Sequence, residues 1–414
     1  MKRREFLACG ASAATIGALL TSRLSFANTA ATGRSRFVFV ILRGALDGLA
    51  AVPPYGDRDY VSLRRDLALP ANNLLPLDGL FGLHPSLAFL KDSFAARELI
   101  VFHAIASPYR ERSHFDGQDV LENGYLRAHA TQSGWLNRAL AALPVGRGAD
   151  KELGVALGQN IPLVLRGPAA VTSWSPSTLA ALDDDTLQRI TDLYAGDPLL
   201  AKRLADALAA DAIAASPMSG GEADDAAGQD KMAVQNKLGK LKGARYTEVI
   251  HAAAEFLRRE DGPNIAVFDT TGWDTHANEG GAQGQLAGRL SALDSGLRSL
   301  KEQLGPVWSD TAVLLVTEFG RTAAINGTHG TDHGTAAAAF LVGGAVRGGK
   351  VIADWPGLAN RALYQGRDLM PTSDLRSVFK GVLQEHLLVP ARALDKTVFP
   401  DSGTAKALSG LVRT

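Results

Sequence analysis

The chain has 414 residues and no net formal charge, with 43 Lys and Arg balanced by 43 Asp and Glu. That balance argues against a basic surface for nucleic acid or an anionic membrane, so no nucleic-acid partner is expected. A hydrophobic content of 46% with 21% charged residues is the composition of an ordinary globular chain, long enough for one large domain with an insertion or for two domains.

The chain opens with Lys2-Arg3-Arg4-Glu5-Phe6-Leu7, runs through a weakly apolar Ala/Gly/Leu stretch to Leu20, and reaches small residues at Ser25-Phe26-Ala27. An arginine pair, a short apolar run and a small-residue cleavage site resemble a twin-arginine export signal over residues 1–27. The expected partner is the twin-arginine export machinery, and the expected location is periplasmic or extracellular. The run is short for a bilayer crossing, so no stable membrane span is expected after cleavage. The single cysteine, Cys9, falls inside the leader. Residues 28–414 are read as one domain without disulfides, which must rely on a large core or a bound metal.

In chain order, Arg36 to Leu42 (RFVFVIL) is a first buried strand, running into a glycine-bearing turn with Arg43 and Asp47 at its end. These two read either as site residues or as a pair steadying the loop. Apolar residues at helical spacing predict a helix over 84–96, and Leu99-Ile100-Val101-Phe102 a second strand. Ser113 with Asp116 three residues on reads as a capping-box variant opening a helix that ends at Asn123-Gly124. The same position would present the Ser113 hydroxyl, beside His114, to the positive end of that helix, where attack on a phosphate or sulfate ester is favoured.

Residues 131–142 read as helix and Pro162 to Leu165 as a third strand. From 176 to 260 the chain turns Ala-rich and charged with helical periodicity, which predicts a mainly helical insertion with a mobile linker near 216–230. A strand at 264–268 then leads into Asp274 and His276, two residues apart and so on one side of an extended loop, ahead of a long helix over 283–304.

The uninterrupted run Ala312 to Val316 predicts a strand buried on both faces. Thr317, Glu318, Arg321, His329, Asp332 and His333 crowd behind it, before a second apolar run from Ala336 to Val342. Ligands collect beyond the carboxyl ends of strands in open α/β sheets, so Asp274, His276, Glu318, Asp332, His333 and Asp47 are candidate ligands for a divalent ion. Zn, Mn, Fe and Ca all fit carboxylates mixed with imidazoles. His329 is a ligand or a surface residue, and His103 a satisfied core histidine. A final helix is expected from Thr372 to His386, with a Ser/Thr cap.

Six segments, LRGALDGL (42–49), RSHFDGQD (112–119), WDTHANEG (273–280), TEFGRT (317–322), GTDHGTA (330–336) and GGKVIADWPGL (348–358), together resemble the DUF1501 family. Its fold looks like the alkaline phosphatase and sulfatase superfamily. The resemblance implies an α/β fold, a three-layer α/β/α arrangement with a mainly parallel central sheet and metal-assisted hydrolase ancestry. It puts Ser113 in the nucleophile region, and Asp274, His276, Glu318 and His333 in ligand regions. Two positions depart from the superfamily pattern: Arg43 stands where a first-strand Asp is usual, with Asp47 four residues on, and Phe319 follows Glu318 where an Asp-His pair is usual. A one-metal site and a metal-free anion site therefore both stay open.

The leading expectation is an exported, metal-dependent hydrolase of a phosphate or sulfate ester. Ser113, His114, Arg43 and Arg321 would be its catalytic residues, with Arg43 or Arg321 holding the anion, Ser113 or a metal-bound water attacking, and a small anionic ester or glycan as the substrate. The alternative is a non-catalytic exported protein that keeps the fold for binding.

Overall fold

Alternation along the first strand explains the layering. In β1 (Arg36–Arg43), Phe37, Phe39 and Ile41 point into one apolar cluster, while Val38, Val40 and Leu42 point into another on the opposite face of the sheet. A strand buried this way needs helices on both faces. The computed structural model, which describes residues 35–143, 153–176, 184–194, 196–214 and 246–413, has that arrangement. Ser35 to Thr414 forms one compact unit. The export signal expected over 1–27 and the linker expected near 216–230 lie outside the described residues.

The central sheet is assembled from β1, β2 (Leu99–Ala106), β3 (Gly154–Leu157), β4 (Val171–Trp174), β5 (Ile265–Thr271), β6 (Thr311–Val316), β7 (Ala337–Val342), β8 (Lys350–Ile352) and β9 (Ser373–Asp374). Their order is β8-β2-β7-β6-β1-β5-β3-β4, with β9 paired to β2. All pairings are parallel except those of β7, which runs antiparallel to both β2 and β6. The carboxyl ends of β1, β2, β5 and β6 and the start of β7 therefore share one end of the sheet.

Helix α1 (Gly48–Ala51) follows β1. One face of the sheet is covered by α2 (Ala88–Ala95), a helix over 246–258 (α7) and the long α8 (Gln285–Leu304). The other face is covered by α3 (His114–Asn123), α4 (Trp135–Ala141) and α9 (Leu375–Glu385). There Phe39 meets Trp135 edge-on at 5.1 Å and Phe379 at 5.8 Å, so Phe39→Ala would cost about 3–5 kcal/mol. Within 176–260 the described residues are mostly helical: α5 (Asp184–Tyr194), α6 (Pro198–Ala214) and α7. Among the described residues no helix is long and apolar enough to cross a membrane.

Three expectations on local structure need correction. Pro162 to Leu165 is not a strand: Leu163–Leu165 is a 3-10 turn, because Pro162 cannot donate to a ladder and the chain bends there to pack on Gly134. The sheet instead uses β3 and β4 on either side of that turn. Ser113 does occupy the N-cap position of α3, and Gly124 ends the helix in a left-handed conformation, but the Ser113 side chain makes no capping bond. The last helix is capped by Asp374, which accepts from the Arg376 amide, and not by Ser or Thr.

Candidate functional site

Loops from four strand ends meet at one end of the sheet. After β1, Gly44 turns with φ +119°; a Cβ there would lie 2.7 Å from the Asp274 nitrogen, so glycine lets the loop after β5 approach the loop after β1. After β6, Arg321 bridges His333, and a Cβ on Gly334 would strike the Arg321 carbonyl at 2.3 Å. Helix α3, which follows β2, brings His114 to the same place.

Three imidazoles and one carboxylate converge there. His114, Asp274 and His333 offer ligand atoms that all lie within 4.8 Å of one another, a group that could hold a metal ion. The His276 Nε2 stands 2.9 Å from the His333 Nε2 and 3.0 Å from an Asp274 oxygen. The far nitrogen of each ring is tied to an acceptor: His114 Nδ1 to Glu318 at 2.8 Å, His333 Nδ1 to the Arg112 carbonyl at 2.9 Å, and His276 Nδ1 to Asp332 at 3.3 Å. An acceptor at Nδ1 holds the proton on that atom and leaves a lone pair on Nε2. The three Nε2 lone pairs thus face one another and Asp274. The His114 Nε2 is buried and has no hydrogen-bond partner. Such an array of acceptors suits a cation, so the residues fit a divalent ion.

The remaining candidates do different work. Glu318 is fully buried, and its Oε1 accepts from the Gly44 amide, His114 and Gln118 at 2.9, 2.8 and 3.1 Å. Burial pushes its pKa up, but these hydrogen bonds outweigh burial and hold it below the usual glutamate range. Glu318 is thus the orienting carboxylate behind His114, and in turn it raises the His114 pKa. Asp332 likewise stands behind His276 as its Nδ1 acceptor. Asp274 is also held below its usual value: burial opposes this, but the Arg321 guanidinium, 2.6 Å away, prevails. Burial lowers the His333 pKa, which favours the neutral ring.

Asp47 is no ligand. It is buried, accepts from the Leu49 and Ala50 amides as the cap of α1, and pairs with Arg64 at 2.5 Å. Both arginines are also committed. Arg43 binds Asp269 and, at 2.8 Å, Glu122, while the buried Arg321 holds Asp274 and Thr331. Arg43 and Asp47 therefore have separate partners. His329 is exposed and faces Asp66 at 3.5 Å, away from the cluster. His103 is fully buried against the Val52 carbonyl, and burial lowers its pKa to about 4.

Sequence reasoning missed Gln118, Thr331, Glu279, Arg112 and Asp368. All but Asp368 lie inside the segments RSHFDGQD, WDTHANEG and GTDHGTA, which was the signal that could have found them.

Beside the cluster lies a cleft of about 1850 Å³. Its lining includes Phe115 and Gln118 of α3, Trp273 next to Asp274, Arg43, and Arg289. Phe115 is 86% exposed, one residue from His114.

Comparison with known proteins adds little beyond kinship. No curated protein matches the chain. Two solved structures show a distant likeness. The crystal structure of Ps i-CgsB in complex with k-i-k-neocarrahexaose has a TM-score of 0.38 at 10% identity, over 90% of this chain and 77% of that one. The crystal structure of Ps i-CgsB has a TM-score of 0.36 at 11% identity, over the same shares. The DUF1501 family, described as a protein of unknown function, matches residues 103–398, a span that runs from the end of β2 past every residue of the cluster. The chain belongs to the DUF1501 family.

Proposed function

We propose that this protein is a metal-dependent hydrolase of a phosphate or sulfate ester, exported by the twin-arginine pathway. The observation that carries the reading is the convergence of the His114, His276 and His333 Nε2 atoms with Asp274, each ring backed by an acceptor on its Nδ1. A set of imidazoles with one carboxylate suits Zn²⁺, Mn²⁺ or Fe²⁺ better than Ca²⁺, which takes oxygen ligands. Held by these residues, the ion would supply Lewis-acid polarisation of an ester oxygen.

The chain's own groups have definable parts in this chemistry. Glu318 orients His114, and Arg321 keeps Asp274 ionised. The Ser113 hydroxyl, not used to cap α3, adjoins His114 at the positive end of that helix, where an anionic ester is favoured. That placement supports Ser113 as the attacking group. The adjacent cleft, with amides, guanidinium groups and the exposed Phe115, would take the remainder of a larger substrate such as a glycan.

A non-catalytic binding protein is the second reading. The commitment of Arg43 and Arg321 to carboxylates favours it, since neither guanidinium is free to hold an anion.

The deciding experiment is elemental analysis of protein exported in its native host, followed by assay with aryl phosphate and aryl sulfate esters. Bound metal with turnover that falls on Ser113→Ala supports the hydrolase. Absence of both metal and turnover overturns it. For export, replacing Arg3 and Arg4 with Lys should leave precursor in the cytoplasm, and unchanged delivery would refute the pathway.

A further inference from the structure

Among groups outside the cluster, the turn at 364–368 makes an unusual set of contacts with it. Asp368 is fully buried, and its main chain is fixed by exchanged hydrogen bonds with Tyr364. Its Oδ2 accepts from Arg112 Nε at 2.8 Å, and Arg112 Nη2 also reaches Gln365 at 2.7 Å. The Arg112 guanidinium lies 5.9 Å from the Tyr364 ring centre. The arginine head is therefore clamped by three residues of one turn. Its backbone sits in the left-handed region, at φ 64°. That conformation brings the Cβ of a non-glycine residue too close to the following carbonyl oxygen, so it is strained. The strain has a visible result: the Arg112 carbonyl points at His333 Nδ1, 2.9 Å away. From the same turn, Arg367 donates to the His333 carbonyl at 2.8 Å.

We propose that Asp368 is a positioning residue for the metal site: by clamping Arg112 in its left-handed conformation, it aims the Arg112 carbonyl at His333 and fixes the tautomer that ligates. The proposal rests on the metal reading above and extends it to residues that touch no ligand atom. The buried carboxylate supplies the charge that holds Arg112. Arg112 supplies the carbonyl that holds the proton on Nδ1. His333 then presents Nε2 to the site with its ring immobilised. If Arg112 relaxed to negative φ, the carbonyl would swing away and both ring tautomers would become available.

The test measures Zn²⁺ affinity by competition with a chromophoric chelator, together with the imidazole ¹⁵N spectrum of metal-free protein. Asp368→Asn should weaken zinc binding by about 10–100-fold, the usual effect of losing an outer partner, and should release His333 from the Nδ1-protonated tautomer. Adding Arg112→Gly should recover part of the affinity, because glycine adopts positive φ without the steric cost. Should Asp368→Asn fail to fold in chelator, Arg112→Gly against Arg112→Ala makes the same comparison, and glycine should bind zinc more tightly than alanine. Zinc affinity within twofold of wild type in folded Asp368→Asn, with the His333 tautomer unchanged, overturns the proposal while leaving the metal site intact. In the fallback pair, equal zinc affinity overturns it likewise. Wild-type protein that binds no zinc overturns the metal reading and this proposal together.

Discussion

Two groups of ionisable residues stand side by side at the same sheet end, and they solve opposite problems. In the first, Asp47, Arg64 and Glu279 are buried. Asp47 is filled by two amides and Arg64, and Thr331 donates to Glu279 at 2.8 Å. Burial pushes the Glu279 pKa up to about 8, and the Asp47 charge adds to the effect. Near neutrality Glu279 keeps its proton, so the trio carries one positive and one negative charge. In the second, His114, His276, His333 and Asp274 are partly exposed and present facing lone pairs. Arg321 joins the two, with Nε on Thr331 and Nη1 on Asp274. The contrast shows that a carboxylate near a site is not thereby a ligand. What matters is whether an oxygen is left over: both Asp47 oxygens accept from donors, whereas Asp274 gives Oδ1 to Arg321 and turns Oδ2 toward His114.

The largest expected effect breaks the closed trio. Asp47→Ala strands a fully buried Arg64 and should destabilise the fold by about 3–5 kcal/mol, read by urea denaturation. Zinc bound per folded molecule should not change; a loss of zinc would make Asp47 part of the open site after all.

Next comes the open cluster. For wild type, zinc at 100 times its Kd should add about 2.7 kcal/mol to stability, seen as a rise in Tm. Asp274→Asn and His333→Ala should flatten that rise, with partial recovery at higher zinc by mass action. Equal zinc-dependent curves in all three proteins would mean that these residues only pack.

Glu318 sharpens the boundary, because it is buried like the trio yet serves the cluster. Glu318→Gln keeps an acceptor for His114 but loses the charge, and should weaken zinc by about 10–100-fold in competition titrations. Complete loss of binding would instead place Glu318 among the ligands.

A last test is one of pH. A carboxyl whose folded pKa is raised stabilises the fold fully below its unfolded value, and this contribution is lost as pH rises through the folded value. For Glu279 the loss runs upward from the ordinary glutamate range, 4.5, to about 8. Glutamine mimics the protonated acid, so Glu279→Gln should come nearest to wild type below pH 4.5 and exceed its Tm by a growing margin up to pH 8.5. Parallel Tm curves across that range would show that Glu279 is ionised in the fold.

Much of this architecture is readable from local pattern. β1 and β6 are uninterrupted apolar runs because helices cover both of their faces, and the long α8 follows from its helical spacing. β3 and β4 escape notice for physical reasons. Each has four residues, β3 begins with glycine, and β4 is the half-exposed edge strand, so neither carries an apolar pattern long enough to read.

For the site, residue types and their positions between strands point to Asp274, His276 and His333, since the loops that carry them open at one end of the sheet. The roles of Glu318, Asp332, Asp47, Arg43 and Arg321 were decided by tertiary structure alone, because a role depends on which donor or acceptor lies within about 3 Å of a given atom. Those partners come from residues far away in the chain: Gly44 and His114 for Glu318, Asp274 for Arg321, Arg112 for His333. The sequence by itself determined the layers, the sheet end and the inventory of chemical groups. Only the folded chain decided which groups are saturated and which are left facing a common point, because hydrogen-bond saturation is a property of contacts between segments and not of any one segment.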